Sequence, residues 1–322
     1  MIPAITIKPA IPKGSQFSKE RAIELADMVE VAYQQYDNYT ADPRQEFPKE
    51  GEILSIEARD YKILKELFFP CRDINDSLPF GFILSQDTDN APPDIFVVFR
   101  GTRAASEWVK DFKSVDQINF LDNPNFGKVG EGFAEIYTRD HDGENRGYAS
   151  LQQTIRDTLS NPALCPPNSQ IFVTGHSLGS ALATLAGLDI AIDETIAANL
   201  GNCLPNVYTF ASPRVGDCKF AQSYFEHQIP CYRVANSEDI VTTLPIASRE
   251  LLGEDMQQNL TTGREKTIAA LDKILDFIIR DVVNKDFEHV GEPIYFTWQV
   301  GSISYNHNMQ EIYREAINSI SS

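Results

Sequence analysis

The chain has 322 residues, 42% hydrophobic and 23% charged, the proportions of a folded protein able to bury a sizeable core. Its 28 Lys and Arg stand against 46 Asp and Glu, a net charge of −18. A field of that sign excludes nucleic acid and anionic membrane surfaces as partners and leaves neutral or zwitterionic lipid open. Five cysteines (Cys71, Cys165, Cys203, Cys218 and Cys231) with no Cys-x-x-Cys pair exclude a thiolate metal site and read as buried free thiols. Neither a metal nor another cofactor is expected.

The lead "MIPAITIKPAIPKGSQ" lacks a basic n-region and a long apolar stretch. No apolar run elsewhere approaches the ~18 residues of a membrane span. The expectation is therefore a cytoplasmic protein without a transmembrane segment. From Ser18 to Tyr36 a serine cap is followed by apolar residues at helical spacing (Ile23, Leu25, Ala26, Val29, Ala32, Tyr33), which predicts a helix. "YKILKELFF" and "PFGFILSQD" read as a hairpin-like strand pair. "DIFVVFRGT" (94–102) is a continuous apolar run, as in a strand buried on both faces, and "QIFVTG", "VYTFASP" and "CYRVANSED" share that character. Helical patterns "YASLQQTIRDTLS", "ALATLAGLDIAIDETIAANL" and "CKFAQSYFEHQ" separate them. Strand–helix alternation of this kind predicts a mostly parallel central sheet flanked by helices, in which functional groups gather beyond the carboxyl ends of the strands. No linker divides the chain. A single domain over 1–322 is expected, with a helix and strands in 1–93 and a helical insertion at 249–286 that carries Ile268, Leu271, Leu275, Ile278 and Val282 on one stripe.

"TGHSLGSA" (174–181) stands where a strand meets a helix. A Gly-x-Ser-x-Gly there marks a nucleophile elbow, a turn so sharp that the residues two before and two after the serine must lack side chains. A serine hydroxyl needs a base to take its proton and a third group to orient that base. In α/β-hydrolase sheets these follow in the order Ser, Asp or Glu, His. With Ser177 first, His141 and His176 drop out. Asp239, directly after "CYRVAN" and before the loop "DIVTTLP", is the acid candidate. His227 falls in a helical pattern, which leaves His289, just before a strand, and His307, in a polar loop; the loop position favours His307. The oxyanion of a tetrahedral intermediate needs backbone donors. Leu178, after the nucleophile, supplies one, and the turn "FRGT" the other, with the Thr102 hydroxyl expected to hold that turn in place.

The motifs "VVFRGT", "EWVKDF", "GEGF", "TGHSLGSALATLAG", "YTFASPRVGD", "RVANSEDIVTTLP", "HVGEPIYF" and "HNMQEIY" occur between Asp94 and Tyr313 in the order found in class 3 lipases. The chain thus resembles these fungal-lipase-like α/β-hydrolases. The resemblance implies Ser177 as nucleophile, Asp239 as acid and His307 as base, with Thr102 and Leu178 as the oxyanion hole and His289 as a structural histidine. It also makes 103 to about 129 a lid over the site, with Trp108, Phe112, Phe120 and Leu121 on its apolar face. The chain departs from the family at Glu107, where Asp is common, at Gly130, where a histidine is, and at Thr242, where proline is. The implied activity is that of a serine esterase or lipase cleaving carboxylic esters of glycerolipids through an acyl-enzyme. Its partners would be a lipid or ester substrate and, transiently, a neutral lipid interface. The alternatives are a phospholipid or galactolipid acylhydrolase, an acyltransferase with the same triad, or a silent lipase-like binding protein.

Overall fold

The computed structural model describes residues 16–41, 47–71, 76–102, 116–139, 149–201, 203–244, 287–299 and 303–319. The expected insertion at 249–286 lies outside these residues, as do Trp108 and Phe112. The strands in chain order are β1 (Ile53–Ile56), β2 (Arg59–Cys71), β3 (Asp76–Thr88), β4 (Ala91–Phe99), β5 (Gln117–Asn119), β6 (Lys128–Gly130), β7 (Gln170–His176), β8 (Asn206–Phe210), β9 (Cys231–Asn236) and β10 (Glu292–Phe296). The helices are α1 (Lys19–Ala41), α2 (Glu131–Thr138), α3 (Leu151–Leu159), α4 (Leu178–Ile192), α5 (Glu194–Leu200), α6 (Cys218–Glu226), α7 (Ile303–Asn306) and α8 (Glu315–Ser319). A π-helical turn, Met309–Arg314, leads into α8.

Eight strands form one sheet in the order β1-β2-β3-β4-β7-β8-β9-β10. β1 to β4 pair antiparallel, and β4, β7, β8, β9 and β10 are all parallel. The apolar run of β4 is explained by burial on both faces. Ile95, Val97 and Phe99 join a core with α4, while Phe96 and Val98 join a second core beneath α1. β5 and β6 form a separate two-stranded ribbon.

α4 is apolar nearly all round, and every residue from Leu178 to Ile190 is buried, as a helix of that composition requires. The buried Asp189 within it accepts from Tyr137 Oη at 2.9 Å, Gln152 Nε2 at 3.0 Å and Arg156 at 2.7 Å. Desolvation raises its pKa against the pull of Arg156. The sequence pattern 181–200 runs on as one helix, but Asp193 interrupts it. Its backbone is extended and its carboxylate caps Thr195 and Ile196 N–H.

α1 begins where the serine cap predicts, Ser18 Oγ accepting from Arg21 N at 3.1 Å. Its two buried carboxylates are paired across the fold, Glu24 with Arg59 and Asp27 with Arg314, and its half-buried Arg21 pairs with Asp94. Cys165 and Cys231 are buried thiols, but Cys203 is half-buried and Cys218 is exposed, because it opens α6 on the solvent side.

Candidate active site

Ser177 stands between β7 and α4 with φ 58° and ψ −124°, a region that costs a non-glycine residue about 1–3 kcal/mol. The surroundings fix it there. Its N–H donates to Phe210 O on β8 at 2.9 Å, and its carbonyl accepts from Ser180 N at 3.0 Å. The flanking glycines are required by contact. A Cβ at Gly175 would overlap the Gly179 carbonyl, and one at Gly179 would overlap the Arg100 carbonyl oxygen. The elbow therefore packs directly against the end of β4. Leu178, as the first helical residue, has no intrahelical acceptor for its N–H.

The turn after β4 is close by: a Cβ at Gly101 would lie 2.6 Å from His176 O and 3.0 Å from Ser177 Cβ. Arg100, 3% exposed, holds this turn. Its Nε donates to Pro79 O and an Nη to Gly101 O, both at 2.8 Å, and its guanidinium lies 3.8 Å from the centroid of the Tyr36 ring. The Thr102 hydroxyl was expected to do this. Thr102 Oγ1 is shielded from solvent and has no hydrogen-bond partner among the described residues.

Asp239 follows β9 and is fully buried. Its Oδ1 accepts from Val241 N at 3.0 Å, while Oδ2 accepts from Tyr313 Oη at 2.6 Å and from His307 Nδ1 at 2.7 Å. Burial, then the charge of Asp239, holds the Tyr313 phenol well above its ordinary value, so it remains a donor. The His307 ring lies 4.6 Å from that of His176, the residue before Ser177. The structure thus joins Asp239 to His307 and brings that pair up against the elbow.

Three residues escaped the sequence reading. Asn236, 0% exposed at the end of β9, binds Trp298 N and O at 3.0 and 2.9 Å and Asn306 O at 3.2 Å. It ties the acid loop to the turn that carries His307. Tyr313 and Tyr33 are the others; Tyr33 Oη and His176 Nδ1 share a hydrogen bond of 2.9 Å.

His289 hydrogen-bonds the Thr242 backbone in the loop that follows Asp239, and no bond joins it to Asp239 or His307 among the described residues. Burial first, and then Arg233 and Arg214, push its pKa down to about 2, against a hydrogen bond with the Thr242 backbone. A neutral imidazole buttressing the acid loop suits a structural role. His227 ends α6 and donates Nδ1–H to Ser223 O at 2.8 Å.

Phe120 and Leu121 differ from the lid expectation. Phe120 is buried, its ring 5.3 Å from that of Phe220 on α6, and Leu121 packs on the same core. The ribbon that frames them is fixed by Gly130 N donating to Val215 O and Lys219 Nζ donating to Pro124 O. In this structure Phe120 and Leu121 pack on the body of the fold.

The sequence profile described as Lipase (class 3) matches residues 96–249. Phospholipase A1-Ialpha2, chloroplastic, of Arabidopsis thaliana is 30% identical over 224 residues, covering 63% of this chain and 46% of that protein. Secreted mono- and diacylglycerol lipase A of Penicillium cyclopium is 28% identical over 201 residues, covering 61% and 57%. The chain spans about half the length of these curated relatives. The solved structure of Rhizomucor miehei triacylglyceride lipase superposes with a TM-score of 0.54 at 21% identity, over 87% of this chain and 81% of that one. The shared architecture is the α/β-hydrolase fold. Relatives named chloroplastic or secreted overturn the cytoplasmic expectation. Among the described residues no helix is long and apolar enough to cross a membrane.

Proposed function

We propose that this chain, whose residues 96–249 match the class 3 lipase profile, is a member of that family and hydrolyses carboxylic esters of glycerolipids by way of an acyl-enzyme on Ser177. The observation that carries the reading is the 2.7 Å bond from His307 Nδ1 to the buried Asp239 beside the elbow. That bond fixes the tautomer, leaving Nε2 as the acceptor for the serine proton. Ser177 Oγ attacks the ester carbonyl carbon as His307 takes its proton. The oxyanion is received by the Leu178 N–H and by the turn at Thr102, whose hydroxyl has no hydrogen-bond partner among the described residues. His307 then returns the proton to the leaving alcohol, and water hydrolyses the acyl-enzyme by the same steps.

Acyl hydrolysis of a phospholipid or galactolipid is the second reading, favoured by Arabidopsis relatives named phospholipase A1 and galactolipase. A fluorophosphonate probe and a panel of nitrophenyl esters test the common chemistry. Triacylglycerol, phosphatidylcholine and galactolipid dispersions then rank the substrates. The expected result is labelling at Ser177, with turnover lost by several powers of ten in Ser177→Ala. A wild-type chain that is not labelled and cleaves no ester would support the silent binding protein instead.

A further inference from the structure

The N-terminal helix carries little of the family resemblance, yet it reaches the reaction centre. Tyr33, 4% exposed on α1, shares the 2.9 Å hydrogen bond with His176 Nδ1, and its ring meets the imidazole edge-on at 6.0 Å. The same hydroxyl crowds Gly101 closely enough to exclude a Cβ there, and a Cβ at that position would also lie 3.0 Å from Ser177 Cβ. One phenol oxygen therefore stands against the turn at Gly101 and reaches the elbow through His176. On its other side, the His176 ring rests against His307, 4.6 Å away and tilted by 41°. α1 is a rigid carrier, anchored to β4 by Arg21–Asp94 and to the C-terminal segment by Asp27–Arg314.

We propose that Tyr33 is a positioning residue of the hydrolytic centre: its hydroxyl spaces the Gly101 turn from the elbow and, through His176, sets the surface on which the His307 ring lies. This rests on the hydrolase reading above. The role concerns the transition state, because the oxyanion turn and the base do their work after the ester is bound. Loss of a whole oxyanion donor costs about 10²–10³ in kcat. A displaced turn costs less, and the expected loss in Tyr33→Phe is about tenfold in kcat with KM unchanged. A tyrosine that merely fills space would lower the melting temperature and leave kcat alone.

The test uses a short-chain nitrophenyl ester below its solubility limit and the rate of Ser177 phosphonylation by a fluorophosphonate. Its variants are Tyr33→Phe, His176→Asn and the double variant. The expected result is a matched fall of about tenfold in kcat and phosphonylation rate for Tyr33→Phe, with the double variant no slower than the slower single. A kcat within about twofold of wild type, a loss carried by KM, or losses that multiply in the double variant would each overturn the assignment. If wild type is not phosphonylated at Ser177, the hydrolase reading fails on that result alone, and Tyr33 has no reaction to position.

Discussion

Replacing Asn236 by alanine tests whether the acid loop and the base turn are held together by one side chain. The amide is completely buried and uses its full hydrogen-bonding capacity. Nδ2 donates to Trp298 O at 2.9 Å and Asn306 O at 3.2 Å, and Oδ1 accepts from Trp298 N at 3.0 Å and Glu238 N at 3.3 Å. Counting the two short bonds at about 1 kcal/mol each and the two long ones at half that, the loss comes to about 3 kcal/mol. At about 2–4 °C per kcal/mol this lowers the melting temperature by about 6–12 °C. The end of β10 keeps a second tie, Ser237 N to Phe296 O at 2.9 Å, while the turn bearing His307 keeps the longer bond from Asn306 Nδ2 to Glu238 O at 3.2 Å, so most of the slack falls on that turn. A misplacement of about 1 Å there costs about a hundredfold in kcat, with little change in KM. Calorimetry and ester turnover on the same preparation check both numbers. A melting temperature that falls while kcat stays within about twofold of wild type would refute the reasoning, since Asn236 would then be a strut with no bearing on the base.

Gly179→Ala drives a Cβ into the Arg100 carbonyl. Over-packing of this kind costs about 1–3 kcal/mol, and it should remove most turnover because the displaced atoms belong to the oxyanion turn; melting and turnover measured together check it. His289 is held neutral, with a pKa of about 2 against an ordinary 6.5. Its stabilising contribution is therefore complete above pH 6.5 and lost progressively as the pH falls from there towards 2. Asp27, Asp94 and Asp189, raised by burial, act with the opposite sign, but they are common to wild type and variant. The melting temperature of wild type should thus fall more between pH 7 and pH 5 than that of His289→Gln, and the variant should keep measurable turnover; equal falls would show that His289 does not titrate in this way.

The layout of the sheet was legible because each buried strand is a continuous apolar run and each crossover a helical pattern, so the order of elements follows from periodicity. The elbow was legible for a sharper reason. Gly175, Ser177 and Gly179 meet a steric demand within five residues, and local demands leave local signatures. Helix ends were less secure: Asp193 serves equally well on a helix surface and as a cap, and the sequence alone does not choose between them. Phe120 and Leu121 are ambiguous for a related reason. An apolar face among charges looks the same on a lid and on a ribbon packed against the body, and the partner that decides, Phe220, is 100 residues downstream in the chain.

By itself, then, the sequence determined the strand–helix alternation and the strained turn at Ser177, because those depend on neighbours in the chain. Tertiary structure decided how the centre is held. Tyr33 meets His176 across 143 residues, Tyr313 meets Asp239 across 74, and Asn236 meets Asn306 across 70. A tyrosine or asparagine has no preference for such a partner until the sheet brings the two together. Only then does burial deprive each polar group of water and make the particular contact necessary.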